Sequence, residues 1–223
     1  MIGQQGLTKS QAKEILRKLS KTLYQITTGE KRSSCFLCKV ANKVFTLITC
    51  NHILDEEEIA PGKEINIYCT DDDDKKHFKT IKIDKNRTTY TVGNFNGENI
   101  DVTIIEIWPE KDGFKEEDFI EIDEDLMSDN VIFNYIDRNV YFLYYKGGEE
   151  CSFSTGITME KRENAYTLLH TCSSGMGSAG GPIVLYNHKA IAVHRGRSLD
   201  KNINIATLLQ FPIREFLKKL NKI

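Results

Sequence analysis

Proline is scarce at 4 of 223 residues, tryptophan occurs once, and neither charge sign dominates, with 30 Lys+Arg against 32 Asp+Glu. A chain that is 40% hydrophobic and so poor in proline is not a disordered or low-complexity polypeptide. A formal net charge of −2 gives no electrostatic reason to expect nucleic acid as the main partner. Nowhere does a run approach the ~20 consecutive apolar residues of a membrane-spanning helix. The opening Met1-Ile-Gly-Gln-Gln-Gly has neither the basic patch nor the apolar stretch of a secretory leader, so a reducing, cytoplasmic setting is expected.

What is present begins with six cysteines: Cys35, Cys38, Cys50, Cys69, Cys151 and Cys172. Three disulfides would need an oxidising compartment. Cys35-Phe-Leu-Cys38 has the spacing of a zinc half-site, yet it lies in an apolar run and no second Cys/His pair of matching spacing follows. Small buried thiols are the expectation, with no metal and no cofactor. The acidic run Asp71–Asp74 before Lys75 and Lys76 reads as a solvated hairpin tip, because a calcium loop would need further oxygen ligands and a glycine.

Helical periodicity is confined to the two ends. Ala12, Ile15, Leu16, Leu19 and Leu23 recur at helical spacing over residues 8–23, with Thr8 and Gln11 placed for a capping box. Ile213, Phe216, Leu217 and Leu220 repeat the pattern after Pro212. Between them lie short β-branched and aromatic runs separated by turn signals: 34–40, 43–49, 65–69, 79–83, 88–92 and 101–107, then 140–145, 151–159, 165–171, 182–186, 189–194 and 203–208. Two groups of six strands predict an all-β protein of two antiparallel barrels and not alternating βαβ units. The expected division is an N-terminal barrel at about 22–107, a connection at 108–130, a C-terminal barrel at 131–210 and a helix at 211–223, together forming one domain.

Three distant segments share a chemical logic. Thr46-Leu-Ile-Thr-Cys-Asn-His52 is an apolar strand ending in histidine; Asn99-Ile-Asp101 places a carboxylate at the mouth of another; Gly175-Met-Gly177-Ser178-Ala179-Gly180-Gly181-Pro182 is a glycine-rich loop before a third. In this order they resemble the trypsin-like, chymotrypsin-fold serine proteases, whose corresponding segments read Thr-Ala-Ala-His, Asp-Ile-Ala-Leu-Leu and Gly-Asp-Ser-Gly-Gly-Pro. That resemblance implies a single peptidase domain in which His52 is the general base and Asp101 orients it. The backbone N–H groups of Gly177 and Ala179 would form the oxyanion hole. The nucleophile position holds Ala179 where serine is expected, and Ser178 is one residue out of register. As written, the chain is expected to be catalytically dead. It is either an active enzyme carrying a Ser→Ala change, which retention of His52, Asp101 and the glycines favours, or a pseudoprotease that binds peptides.

The same resemblance extends to specificity. Lys189-Ala-Ile-Ala-Val-His194-Arg195-Gly196 is similar to the pocket strand of glutamyl endopeptidases and of picornaviral chymotrypsin-like cysteine proteases. It implies that His194 and Ser174 contact the substrate side chain, with Ser173 at the pocket base where a Lys/Arg-specific enzyme has an acid. Arg195 and Gly196 complete the expected substrate-binding set. Cleavage after Glu or Gln, with Asp a further candidate, is expected, since imidazole and hydroxyl donate to oxygen. The partner is a protein or peptide substrate, with neither nucleic acid nor membrane; because no Ile-Val-Gly-Gly activation segment precedes the strands, regulation is expected to come from a protein partner, a fused domain or substrate access. His77, His188 and His170 are expected to be structural.

Overall fold

A computed structural model of the chain describes residues 9–29, 31–70, 76–129, 131–147, 150–160, 166–198 and 203–221. The acidic run at 71–74 and the cap residue Thr8 lie outside them. Helix α1 (Lys9–Ser20) buries Ile15 and Leu19 and leaves Leu16 exposed, as an amphipathic surface helix does. It ends earlier than its periodicity predicts. Both the amide and the hydroxyl of Thr22 donate to the Leu19 carbonyl, and Leu23 opens strand β1 (Leu23–Thr28) opposite Phe36. Leu23 is buried by either structure, and the β-branched Ile26-Thr27-Thr28 that follows favours the strand.

Next come β2 (Lys31–Ala41), β3 (Val44–Thr49), β4 (Glu64–Thr70), β5 (Lys76–Lys82), β6 (Thr89–Phe95), β7 (Glu98–Ile107), the short helix α2 (Pro109–Asp112) and β8 (Ile120–Glu121). They form one sheet ordered β5-β4-β1-β2-β3-β7-β6, with β8 pairing parallel to β2. Where six strands were expected to close here, eight take part, because the sequence signal missed β1 and β8. Every side chain of β3 is buried, so it reads as a continuous apolar run without alternation.

The second half holds β9 (Asn139–Lys146), β10 (Glu150–Glu160), β11 (Thr167–His170), β12 (Pro182–Leu185), β13 (Ala190–Ser198) and β14 (Ile203–Leu208), closed as the barrel β10-β11-β14-β13-β12-β9. Helix α3 (Gln210–Lys219) follows with Pro212 in its first turn, where the missing N–H has no intrahelical partner to lose. The fold is therefore all-β and of the two-barrel type. No helix among the described residues is long and apolar enough to cross a membrane. Among the described residues no cysteine is in a disulfide, and Cys35 and Cys38 are buried on β2.

The two halves are stitched by side chains at their seam. The Ser34 hydroxyl on β2 donates to the Gly177 carbonyl at 2.8 Å and accepts from the Tyr145 amide of β9 at 2.9 Å. Thr207 Oγ1 of β14 donates to the Ile100 carbonyl of β7 at 2.5 Å. These contacts fix the loop at 175–181 against the sheet that carries His52 and Asp101.

Candidate active site

His52 sits in the turn that follows β3, where the amides of Ile53 and Leu54 both return to the Cys50 carbonyl. Asp101 lies in β7 with φ at 54°, in the left-handed region that Asp tolerates better than most residues. The conformation aims its carboxylate across the sheet at the turn. Asp101 Oδ2 accepts from His52 Nδ1 at 2.7 Å, and Oδ1 accepts from the His52 backbone amide at 2.9 Å. The Asp101 side chain is 10% exposed and that of His52 is 49% exposed. A buried carboxylate thus fixes the tautomer, leaving Nε2 as the ring's open acceptor.

The glycine loop is shaped for close approach. The Ser178 amide donates to the Gly175 carbonyl with Gly177 at φ 81°, the pattern of a type II turn, which requires positive φ at its third residue. Ala179 is half-buried, and its carbonyl accepts from the Ser34 amide at 3.0 Å and the Ser33 hydroxyl at 2.7 Å. Gly180, at φ 84°, leaves no room for a side chain: a Cβ there would lie 2.0 Å from the Ser34 carbonyl oxygen and 2.4 Å from Thr49 Oγ1. Thr49 is the last residue of the strand leading to His52, so residue 180 packs directly beneath the histidine turn. Among the described residues the amides of Gly177 and Ala179 donate to no protein acceptor. Ser178 is buried.

His194 and Ser174 occupy the second barrel. His194 is 1% exposed, and its Nδ1 lies 3.0 Å from Nε2 of His170, which is also buried. Both rings pack on Phe142, at 4.6 and 5.4 Å between centroids. Burial pushes the His170 imidazole down to about 3, and burial, helped by His170, Arg195 and His52, holds His194 well below the ordinary histidine range. The pair is therefore neutral at physiological pH, and among the described residues His194 Nε2 has no partner. His170, expected to be structural, is buried in the barrel and hydrogen-bonded to His194. The only sequence signal was a polar residue in an otherwise apolar strand. Ser174 Oγ donates to Asn204 Oδ1 at 2.6 Å, and Asn204 Nδ2 donates to the Cys172 carbonyl. Ser173 is exposed, its amide bonded to Ser154 Oγ.

Arg195 points elsewhere. With Gly196, Arg197, Asn51, Asn94 and Asn99 it lines an open cleft of about 570 Å³ that also contains His52 and Asp101. Its Nη2 donates to Thr167 Oγ1 at 2.9 Å; burial pulls the guanidinium's pKa down, and the Asp101 carboxylate offsets part of that. Strand β13 slips register between His194 and Gly196, and the side chains there diverge: imidazole into the barrel, guanidinium toward the dyad.

No family model matches the chain and no curated protein matches it. Solved structures do. A serine-to-alanine mutant of Rv3671c from M. tuberculosis H37Rv, in its inactive form, aligns at TM-score 0.62 and 13% identity over 99% of this chain and 97% of that one. Deg5 aligns at TM-score 0.62 and 15% identity, covering 95% and 96%. The serine endoprotease from Yersinia pestis aligns at TM-score 0.63 and 12% identity, over 98% of this chain and 68% of its own. At such identities the likeness establishes the fold: a chymotrypsin-type double barrel, the architecture of trypsin-like serine proteases.

Proposed function

We propose that this chain is the framework of a serine endopeptidase that cleaves after glutamine, present with alanine at its nucleophile position. The observation that carries the reading is the two-point grip of Asp101 on His52, at ring and backbone, beside a loop with two unengaged amides. A seryl hydroxyl at position 179 would give its proton to His52 Nε2 while attacking a peptide carbonyl, and the oxyanion would fall to the amides of Gly177 and Ala179. With Ala179 that covalent step has no nucleophile, and the loss costs roughly 10⁶ in turnover where it has been measured in a triad enzyme.

The preference for Gln over Glu rests on hydrogen-bond polarity. The Ser174 proton is committed to Asn204, so its oxygen meets a substrate as an acceptor. His170 and His194 are neutral, so one proton lies between the rings and His194 Nε2 carries its own when His170 donates. A carboxamide offers an oxygen to Nε2 and an N–H to Ser174, whereas a carboxylate meets a lone pair and no fixed positive charge. Arg195, turned toward Asp101, does not supply that charge.

Ala179→Ser tests the proposal. The revertant is expected to react with a fluorophosphonate and to cut Gln peptides at least ~10-fold better than Glu peptides, a difference of about 1.4 kcal/mol in the transition state. No labelling would overturn the peptidase reading, and equal cleavage after Glu would overturn the pocket reading. Peptide binding by the unreverted chain, with no reactivity in the revertant, would favour a noncatalytic module that adds a strand to a sheet edge.

A further inference from the structure

We infer that Cys50, His52 and Asp101 form a binding site for one zinc(II) ion, whose occupation switches the dyad off. One sulfur, one imidazole nitrogen and one carboxylate oxygen lie within 4.8 Å of one another. Zn–S, Zn–N and Zn–O bonds of about 2.3, 2.0 and 2.1 Å imply tetrahedral ligand separations of roughly 3.3–3.6 Å, so the set must contract by on the order of 1 Å. His52 Nδ1 and Asp101 Oδ2, at 2.7 Å, need to open by only roughly 0.6–0.7 Å. Cys50 and His52 share one turn, which makes that adjustment local.

Two features set this trio apart from an ordinary catalytic pair. The trypsin-like pattern has two alanines before its histidine, and Cys50 stands in the first of those places. Its thiol donates to the His194 carbonyl at 3.2 Å, a bond the proposed hydrolysis does not use. The donors also match the ion in charge, because a thiolate and a carboxylate cancel two positive charges with imidazole as neutral third ligand. Half-exposed His52 opens the site to the cleft, where water supplies the fourth ligand.

Protons balance simply. The Cys50 thiol releases one proton to solvent as the thiolate binds, and the imidazole proton moves from Nδ1 to Nε2. Nε2 then cannot accept a proton from a nucleophile, which is why the bound form would be inactive. The ion is thus an inhibitor and not a cofactor.

Binding is tested on the chain as it stands and is independent of the peptidase reading, whereas the switch rests on that reading. Titration calorimetry with zinc chloride in buffers of different ionisation enthalpy should give one ion bound and about one proton released. Affinity should fall on the order of 100-fold in Cys50→Ala and in Asp101→Asn, and stay unchanged in Cys151→Ser, which removes an exposed thiol. Magnesium, which demands oxygen ligands, should not bind. Cobalt(II) should give a thiolate charge-transfer band that disappears in Cys50→Ser. Undiminished zinc affinity in Cys50→Ala, or no binding by the parent chain at micromolar zinc, overturns the site. In an active Ala179→Ser revertant, Cys50→Ala should raise the zinc inhibition constant by the same factor as the dissociation constant, and an unchanged constant would overturn the switch.

Discussion

Asp101 holds His52 twice, through ring Nδ1 at 2.7 Å and through the backbone amide at 2.9 Å, so one carboxylate sets both the tautomer and the position of the imidazole. In an Ala179→Ser background, Asp101→Asn should lower kcat by roughly 10⁴ while leaving KM within a few-fold, because the amide keeps the packing and presents the wrong hydrogen-bond polarity. Steady-state kinetics on a Gln peptide would check this. A loss under tenfold would mean the carboxylate does not orient the base.

Gly180→Ala should prevent folding or destabilise the chain by about 3 kcal/mol or more, since its Cβ would lie 2.0 Å from a backbone oxygen that the seam holds in place. Gly97→Ala is the internal control. That residue shares a positive φ of 79° but has open space around it, so only the left-handed penalty of roughly 1–2 kcal/mol applies. Urea denaturation of both variants distinguishes steric exclusion from backbone strain.

Arg87 and Asp112 form a buried bidentate pair, Nη1 to Oδ2 and Nη2 to Oδ1, both at 2.8 Å, with Nη1 also donating to the Glu106 carbonyl at 2.6 Å. The pair ties the approach to β6 to the connection between the halves. Arg87→Ala strands the carboxylate and should cost about 3–5 kcal/mol. Arg87→Met with Asp112→Leu should recover part of that loss, because no charge is then left buried alone. Chemical denaturation of the single and double variants measures the difference.

Stability should fall on acidification through the histidine pair. The folded His170 is depressed to about 3 from an ordinary 6.5, and His194 is depressed as well. Above about pH 6.5 both states are neutral and the stability is fully present; below it the unfolded chain takes up protons that the folded pair refuses. The expected slope is about 1.4 kcal/mol per pH unit for each histidine. His170→Gln should flatten it by about one proton in urea midpoints collected between pH 7.5 and 5.

Strand positions were legible because β-branched and aromatic runs carry their own signal, and the expected ranges differ from the observed strands mainly at the ends. β1 was hidden because Leu23 fits a helix repeat and a core strand equally well. The candidate dyad was legible as residue types beside apolar strands, and so was the alanine at the proposed nucleophile position. Ser33 and Ser34 escaped notice, since a hydroxyl in a strand looks the same whether it packs or pins a loop more than a hundred residues away. The divergence of His194 and Arg195 was equally invisible, because it depends on a register slip in β13.

Local chemistry in the sequence determined the all-β character, the order of the motifs and the alanine at position 179, each being a property of neighbouring residues. Only the tertiary structure decided that His170 would meet His194, that Ser174 would spend its proton on Asn204, and that Cys50 would lie beside the dyad. Those are contacts between strands brought together by barrel closure and sheet register, and a linear chain carries no local trace of which strands will become neighbours.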